Sequence, residues 1–126
     1  MSLPNLILAA LGGALGSALR VLINALFPAD ARLTWGLPLG TIVINVAGSL
    51  AIGWLMGRLG GLTPDNARWH SLLVAGLCGG FTTFSAFSWQ TLALLQKNQP
   101  TAALANVLLS VTLCLAATWL GWRLAR

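Results

Sequence analysis

Four apolar stretches, each close to the length needed to cross a lipid bilayer, occupy almost the whole of this chain. A hydrocarbon core of about 30 Å takes roughly 20 helical residues to span. Within it, every backbone N–H and C=O must find its partner inside the protein. The windows fall at 4–27, 36–59, 68–95 and 101–124. Pro28 closes the first, and the segment 29–35 that follows holds Asp30 and Arg32. Gly60-Gly61 with Thr63-Pro64-Asp65, and later Gln96-Lys97-Asn98-Gln99-Pro100, supply stop and restart signals. The expected fold is an all-α membrane protein with four transmembrane helices per subunit. It forms a single domain over 1–126, leaving no room for a soluble one.

Composition agrees with that expectation. The chain is 57% hydrophobic and 7% charged, with a mean hydropathy of +0.83, where soluble domains carry about 25% charged residues. Its net charge of +5 comes from scarce acids, seven Lys/Arg against Asp30 and Asp65. The cations are dispersed, so nucleic-acid binding finds no support. A cleaved leader needs positive charge ahead of its apolar run, whereas the first Lys or Arg here is Arg20. The amino-terminal run therefore reads as a transmembrane helix. Cys78 and Cys114 fall within apolar windows and read as buried thiols rather than a disulfide. Trp35, Trp69, Trp119 and Trp122 stand near window ends, where amphipathic rings favour the membrane interface.

Four crossings put both termini and the 60–66 turn on one side of the membrane. That side collects Arg58, Arg68, Arg123 and Arg126, against Arg32 and Lys97 opposite, with Arg20 approaching them from within its helix. So weak a bias under the positive-inside rule is compatible with insertion in both orientations or in one. Gly12/Gly16, Gly36/Gly40, Gly53/Gly57 and Gly76/Gly80 repeat the spacing at which helix backbones touch. Some pairs serve internal packing, but four short helices do not easily enclose an aqueous path. Assembly, most simply into a dimer, is expected.

The segment 76–88, Gly-Leu-Cys-Gly-Gly-Phe-Thr-Thr-Phe-Ser-Ala-Phe-Ser, is the most informative. A Gly pair followed by aromatic and β-branched residues makes a poor helix, and it lies mid-window. A break there, expected over 79–82, leaves carbonyls that must meet protein, water or an ion; a kinked helix with satisfied hydroxyls is the plainer alternative. Phe84 and Phe87 share a helical face, beside the hydroxyls of Thr83, Ser85 and Ser88. Phenyl rings carry a positive edge. Edges and hydroxyls together can replace part of an anion's hydration, although aromatics also serve plain packing.

Two polar stripes accompany this segment: Thr41, Asn45 and Ser49 on the second helix, and Asn106, Ser110 and Cys114 on the fourth. Asn45 near the bilayer centre is either a link between helices or a pathway donor. Arg20 sits roughly 10 Å inside its helix, where it either snorkels to the interface or attracts anions at a vestibule. His70, beside Trp69, is expected at the interface. No Asp or Glu lies within any window, so a carboxylate proton relay is missing. Phosphate-loop, dinucleotide and metal-ligand patterns are missing too.

Residues 12–20 (Gly-Gly-Ala-Leu-Gly-Ser-Ala-Leu-Arg), 40–49 (Gly-Thr-Ile-Val-Ile-Asn-Val-Ala-Gly-Ser) and 79–88 (Gly-Gly-Phe-Thr-Thr-Phe-Ser-Ala-Phe-Ser) resemble, in order, three segments of the Fluc/CrcB fluoride channels. The third is highly specific. The resemblance implies an antiparallel, dual-topology homodimer in the plasma membrane, with two pores that pass fluoride passively and relieve its toxicity. It also implies a structural Na⁺ on the dimer axis, held by the backbone carbonyls of Gly79 and Thr82 at a broken third helix near the bilayer midplane. By the same implication Phe84 and Phe87 are the pore phenylalanines, Asn45 the pore amide, Ser110 part of a polar track and Arg20 the vestibule arginine. Gln90 departs from the usual Glu, and Asn106 and Cys114 from Tyr and Ser. The rivals are a small proton-coupled multidrug exporter, which needs a membrane carboxylate, and a non-transporting scaffold subunit.

Overall fold

Proline opens two of the helices. Pro4 and Pro100 lie in first turns, where a missing N–H leaves no hydrogen bond unmade. The structure, a computed structural model, describes residues 2–27 and 36–126. Pro28, Asp30, Arg32 and Trp35 lie outside them. The described helices are α1 (Leu3–Ala25), α2 (Leu39–Leu59), α3 (67–81), α4 (Phe84–Gln96) and α5 (Pro100–Leu124). α3 and α4 fall within a single apolar stretch, Ala67–Gln96, so the described residues hold four spans long and apolar enough to cross a membrane. It is a multi-pass membrane protein.

α3 is wound unusually. After a turn at Ala67–Trp69, its His70–Cys78 stretch is π-helical, and the Gly79 N–H still donates to Val74 O five residues back. Such widened turns are rare and cluster at functional sites. A last turn, Gly79–Phe81, closes the segment.

The chain is held together by two close helix pairs, α1 with α3 and α2 with α5. Glycine makes both possible. A Cβ on Gly12 would strike the Leu72 carbonyl oxygen, and one on Gly80 would lie 2.9 Å from Gly13 Cα. On the other pair, a Cβ on Gly53 would strike the Thr118 carbonyl oxygen and one on Gly121 that of Leu50. Without a hydrophobic drive between helices in lipid, backbone contact of this kind supplies the packing energy. The small-residue pairs Gly12/Gly16, Gly53/Gly57 and Gly76/Gly80, expected to favour assembly, are thus spent on packing within the chain.

The turn between α2 and α3 is knitted by Asn66, whose Nδ2 donates to Leu59 O at 2.8 Å and to Gly61 O at 3.0 Å. His70, at the start of the third span, packs against this turn. It is 9% exposed, with its Nε2 3.1 Å from Gly60 O. Arg58, Arg123 and Arg126 lie over Trp54, Trp119 and Trp122 respectively, at 5.8, 5.7 and 3.5 Å from the ring centres. Each pair is one helical turn apart, the stacking that suits an interfacial belt.

Candidate ion pathway

The site begins where α3 stops being helical. Thr82 (φ −79°, ψ 160°) and Thr83 (φ −150°, ψ 110°) are extended, and Phe84 starts α4. The Gly79–Gly80 pair itself remains helical, Gly79 at φ −63° and ψ −40°. The interruption therefore falls on the two threonines rather than on the glycines. Thr82 ends the helix with its own side chain, Oγ1 donating to Cys78 O at 2.9 Å. Thr83 begins the next, Oγ1 accepting from Ala86 N–H at 3.2 Å as an N-cap.

Side chains from other helices take over the backbone groups set free. In an unbroken helix Thr83 N–H would donate to Gly79 O; it donates instead to Asn45 Oδ1 at 2.8 Å. Asn45 Nδ2 returns a bond to Thr83 O at 3.1 Å. Arg20 Nη1 donates to Thr82 O and Ser17 Oγ to Gly80 O, both at 3.3 Å. Asn45 thus links α2 to the interruption through both ends of its amide, and a second N–H on Nδ2 stays available. Arg20 places its charge on a carbonyl at the same spot.

Beside the interruption lies a cleft of about 330 Å³. α2 contributes Asn45 and Ser49, α3 contributes Cys78 and Gly79, and α5 contributes Ser110 and Cys114. Thr82, Thr83, Phe84 and Phe87 complete it. The middle members of the two polar stripes therefore face one space, together with both phenylalanines. The Phe84 and Phe87 rings lie 5.3 Å apart at 43°, within the range of tilted aromatic pairs. Phe84 is 77% exposed, so the cleft is open on that flank. None of its lining residues is charged, and among the described residues no His, Cys, Asp and Glu cluster could hold a metal.

Other expected residues lie elsewhere. Thr41 is 3% exposed, one turn from Asn45 and outside the cleft. Ser85 and Ser88 are exposed and also outside it. Ser85 Oγ pairs with Thr83 Oγ1 at 3.2 Å, and Ser88 Oγ donates to Phe84 O at 2.9 Å. Thr91, which no sequence pattern singles out, accepts from the buried Asn106. Gln90 buries its Oε1 without a hydrogen-bond partner among the described residues.

Fold and site together define a small polytopic membrane protein with an uncharged, aromatic-flanked cleft at an interrupted span. The chain matches the family described as CrcB-like protein, Camphor Resistance (CrcB), over residues 7–122. It is 44% identical over 117 residues to the "Fluoride-specific ion channel FluC" of Rhodospirillum rubrum, covering 89% of this chain and 87% of that protein. A protein of the same name in Paramagnetospirillum magneticum is 46% identical over 116 residues, covering 90% and 89%. Another, in Solibacter usitatus, is 43% identical over 120 residues, covering 95% and 97%. This chain belongs to the CrcB family.

Proposed function

We propose that this chain is a passive, fluoride-selective channel of the plasma membrane that lets fluoride leave the cell, and not an enzyme. The observation that carries the proposal is the convergence of Asn45, Ser49, Ser110, Phe84 and Phe87 on one uncharged cleft. A small, strongly hydrated anion needs donors at each point where it sheds water. The free Asn45 N–H, the Ser49 and Ser110 hydroxyls and the positive ring edges can supply them without a fixed cation that would hold the ion too tightly. Family relatives that bear the name of fluoride channel along most of their length support the same reading.

In liposomes loaded with fluoride, the purified protein should release fluoride down its gradient once charge is balanced, while chloride stays inside. The release should not depend on a pH difference. Release only when protons flow the other way would mark a coupled exporter, and no release at all would end the proposal.

The working unit we propose is an antiparallel homodimer with two pores. The open flank at Phe84 supports it, because one subunit leaves the cleft unwalled. The weak charge bias supports insertion both ways up. A single cysteine at the exposed turn residue Asn98, with Cys78 and Cys114 replaced, should label from both faces of a membrane. Labelling from one face only would contradict the antiparallel arrangement.

The family also implies an axial Na⁺ held by Gly79 and Thr82 carbonyls near the bilayer midplane. Part of this chain fits. The Gly79 carbonyl has lost its helical donor to Asn45, and both residues face the cleft. The Thr82 carbonyl already accepts from Arg20 at 3.3 Å, so it would share its lone pairs. When bound, such a cation would neutralise the Gly79 oxygen, which has lost its helical donor, and supplement Arg20 at the Thr82 oxygen. Gly79 is helical, so its value lies in the missing side chain: a Cβ there would meet nothing nearer than Val74 O at 3.9 Å. Gly79→Val should therefore leave the single subunit folded yet crowd the cleft, lowering dimer stability or fluoride flux roughly tenfold or more. Thr82→Ser keeps the carbonyl and the hydroxyl and should be mild. Size-exclusion chromatography with the efflux assay separates these outcomes; wild-type behaviour of Gly79→Val would remove Gly79 from the site.

A further inference from the structure

One buried chain of hydrogen bonds runs behind the cleft. Asn106 on α5 is 0% exposed and does not line the cleft. Its Nδ2 donates to Thr91 Oγ1 on α4 at 2.9 Å, and Thr91 Oγ1 donates to Phe87 O at 2.8 Å. At its other end Asn106 Oδ1 accepts from Ser110 Oγ at 3.4 Å. Two cleft residues, Phe87 and Ser110, are therefore joined through two that never reach the cleft.

The directions along this chain are fixed. A threonine hydroxyl has a single proton, and that of Thr91 goes to the Phe87 carbonyl, so its oxygen can only accept from Asn106. The Asn106 amide must then point Nδ2 at Thr91 and Oδ1 at Ser110. That orientation draws the Ser110 proton away from the cleft. The bond holding it is long, since hydroxyl donors usually sit 2.5–3.0 Å from oxygen acceptors. A passing anion, which asks more strongly for a donor than a neutral amide does, can take that proton.

We propose that Asn106, acting through Thr91, is a positioning residue for the pathway: it clamps α4 so that the Phe87 ring stays in register and holds the Ser110 hydroxyl on a bond weak enough to release to the anion. The inference rests on the fluoride channel reading. It adds to that reading two residues that do not touch the ion.

The test is a set of variants in the liposome assay with wild type alongside. Thr91→Val keeps shape and removes the hydroxyl; Thr91→Ser keeps the hydroxyl. Asn106→Leu removes the amide while keeping the γ-branched shape, at the cost of added bulk. Thr91→Val and Asn106→Leu should each lower fluoride efflux about tenfold, the factor a well-made buried hydrogen bond is worth. They should also let the fluoride-to-chloride ratio fall, which simple loss of folded protein does not do. Thr91→Ser should restore near-normal efflux. The double variant should be no worse than the worse single one, because both act through one chain.

Wild-type efflux in Thr91→Val, failure of Thr91→Ser to restore it, or losses that multiply in the double variant would overturn the inference while the channel reading stands. Should Asn106→Leu fail to assemble, the Thr91 pair alone decides. A wild type that passes no fluoride overturns the channel reading and this inference with it.

Discussion

Replacing Asn45 with Leu is expected to abolish fluoride efflux, a loss of at least about a hundredfold. Leucine keeps the γ-branched shape of asparagine with bulkier ends, and the open cleft beside Asn45 has room for them. The effect is electrostatic. Asn45 is the partner of both the N–H and the C=O of Thr83, at the point where α3 gives way to α4. The Thr83 carbonyl, as that of an N-cap, still takes the first bond of α4, but its N–H is left unsatisfied in an apolar surround, so the extended conformation of Thr83 loses about 1–3 kcal/mol of support. The chain would relieve this by rebuilding helical turns or shifting α4, and either change moves Phe84 and Phe87. Asn45→Asp separates this role from a direct one. It still accepts from Thr83 N–H but loses the return bond and adds a negative charge beside the pathway, so it should assemble and yet conduct poorly. Normal efflux in Asn45→Leu, with the protein eluting as wild type, would remove Asn45 from the account.

The ring edges give the second large effect. Phe84→Ile and Phe87→Ile should each reduce fluoride efflux by about ten- to a hundredfold, with the assembly intact. Isoleucine keeps apolar volume but has no quadrupole, so it cannot turn a positive edge toward an anion. Phe84 makes the cleaner test, because at 77% exposure its ring contributes little to packing within the subunit. Phe87 also pairs with it at 5.3 Å, and its loss removes that contact as well. Equal efflux from both variants and wild type would mean that the rings only pack. A fall in detergent stability that parallels the fall in flux would assign them to assembly instead.

The four spans were legible because nothing competes with hydropathy in a chain with so few charges. The polar stripes were legible too, since a spacing of four puts Asn45 with Ser49, and Ser110 with Cys114, on common faces. The local geometry of the third span was not. Gly79-Gly80 looks like the breaking point by propensity, but Gly80 is held helical by close packing on Gly13. The helix ends instead where Thr82 bonds back to Cys78 and Asn45 takes the Thr83 N–H. That choice depends on a residue 38 positions away, beyond any local signal. The π-helical winding of His70–Cys78 leaves no mark in composition. Glycine spacing identified backbone contact but not the partner, which is why stripes that bind α1 to α3 looked available for a second subunit. Asn106 and Thr91 meet only through the register of α4 on α5, which no spacing within either helix predicts.

Whether fluoride crosses alone is decided by the reversal potential of reconstituted protein in a planar bilayer, with a fluoride gradient and symmetric chloride, then with the gradients exchanged. A fluoride channel gives a reversal potential that follows fluoride at about 59 mV per tenfold gradient and stays near zero when only chloride differs. A potential that tracks chloride or the cation, or fluoride movement without any current because each ion leaves with a coupled proton, would contradict it.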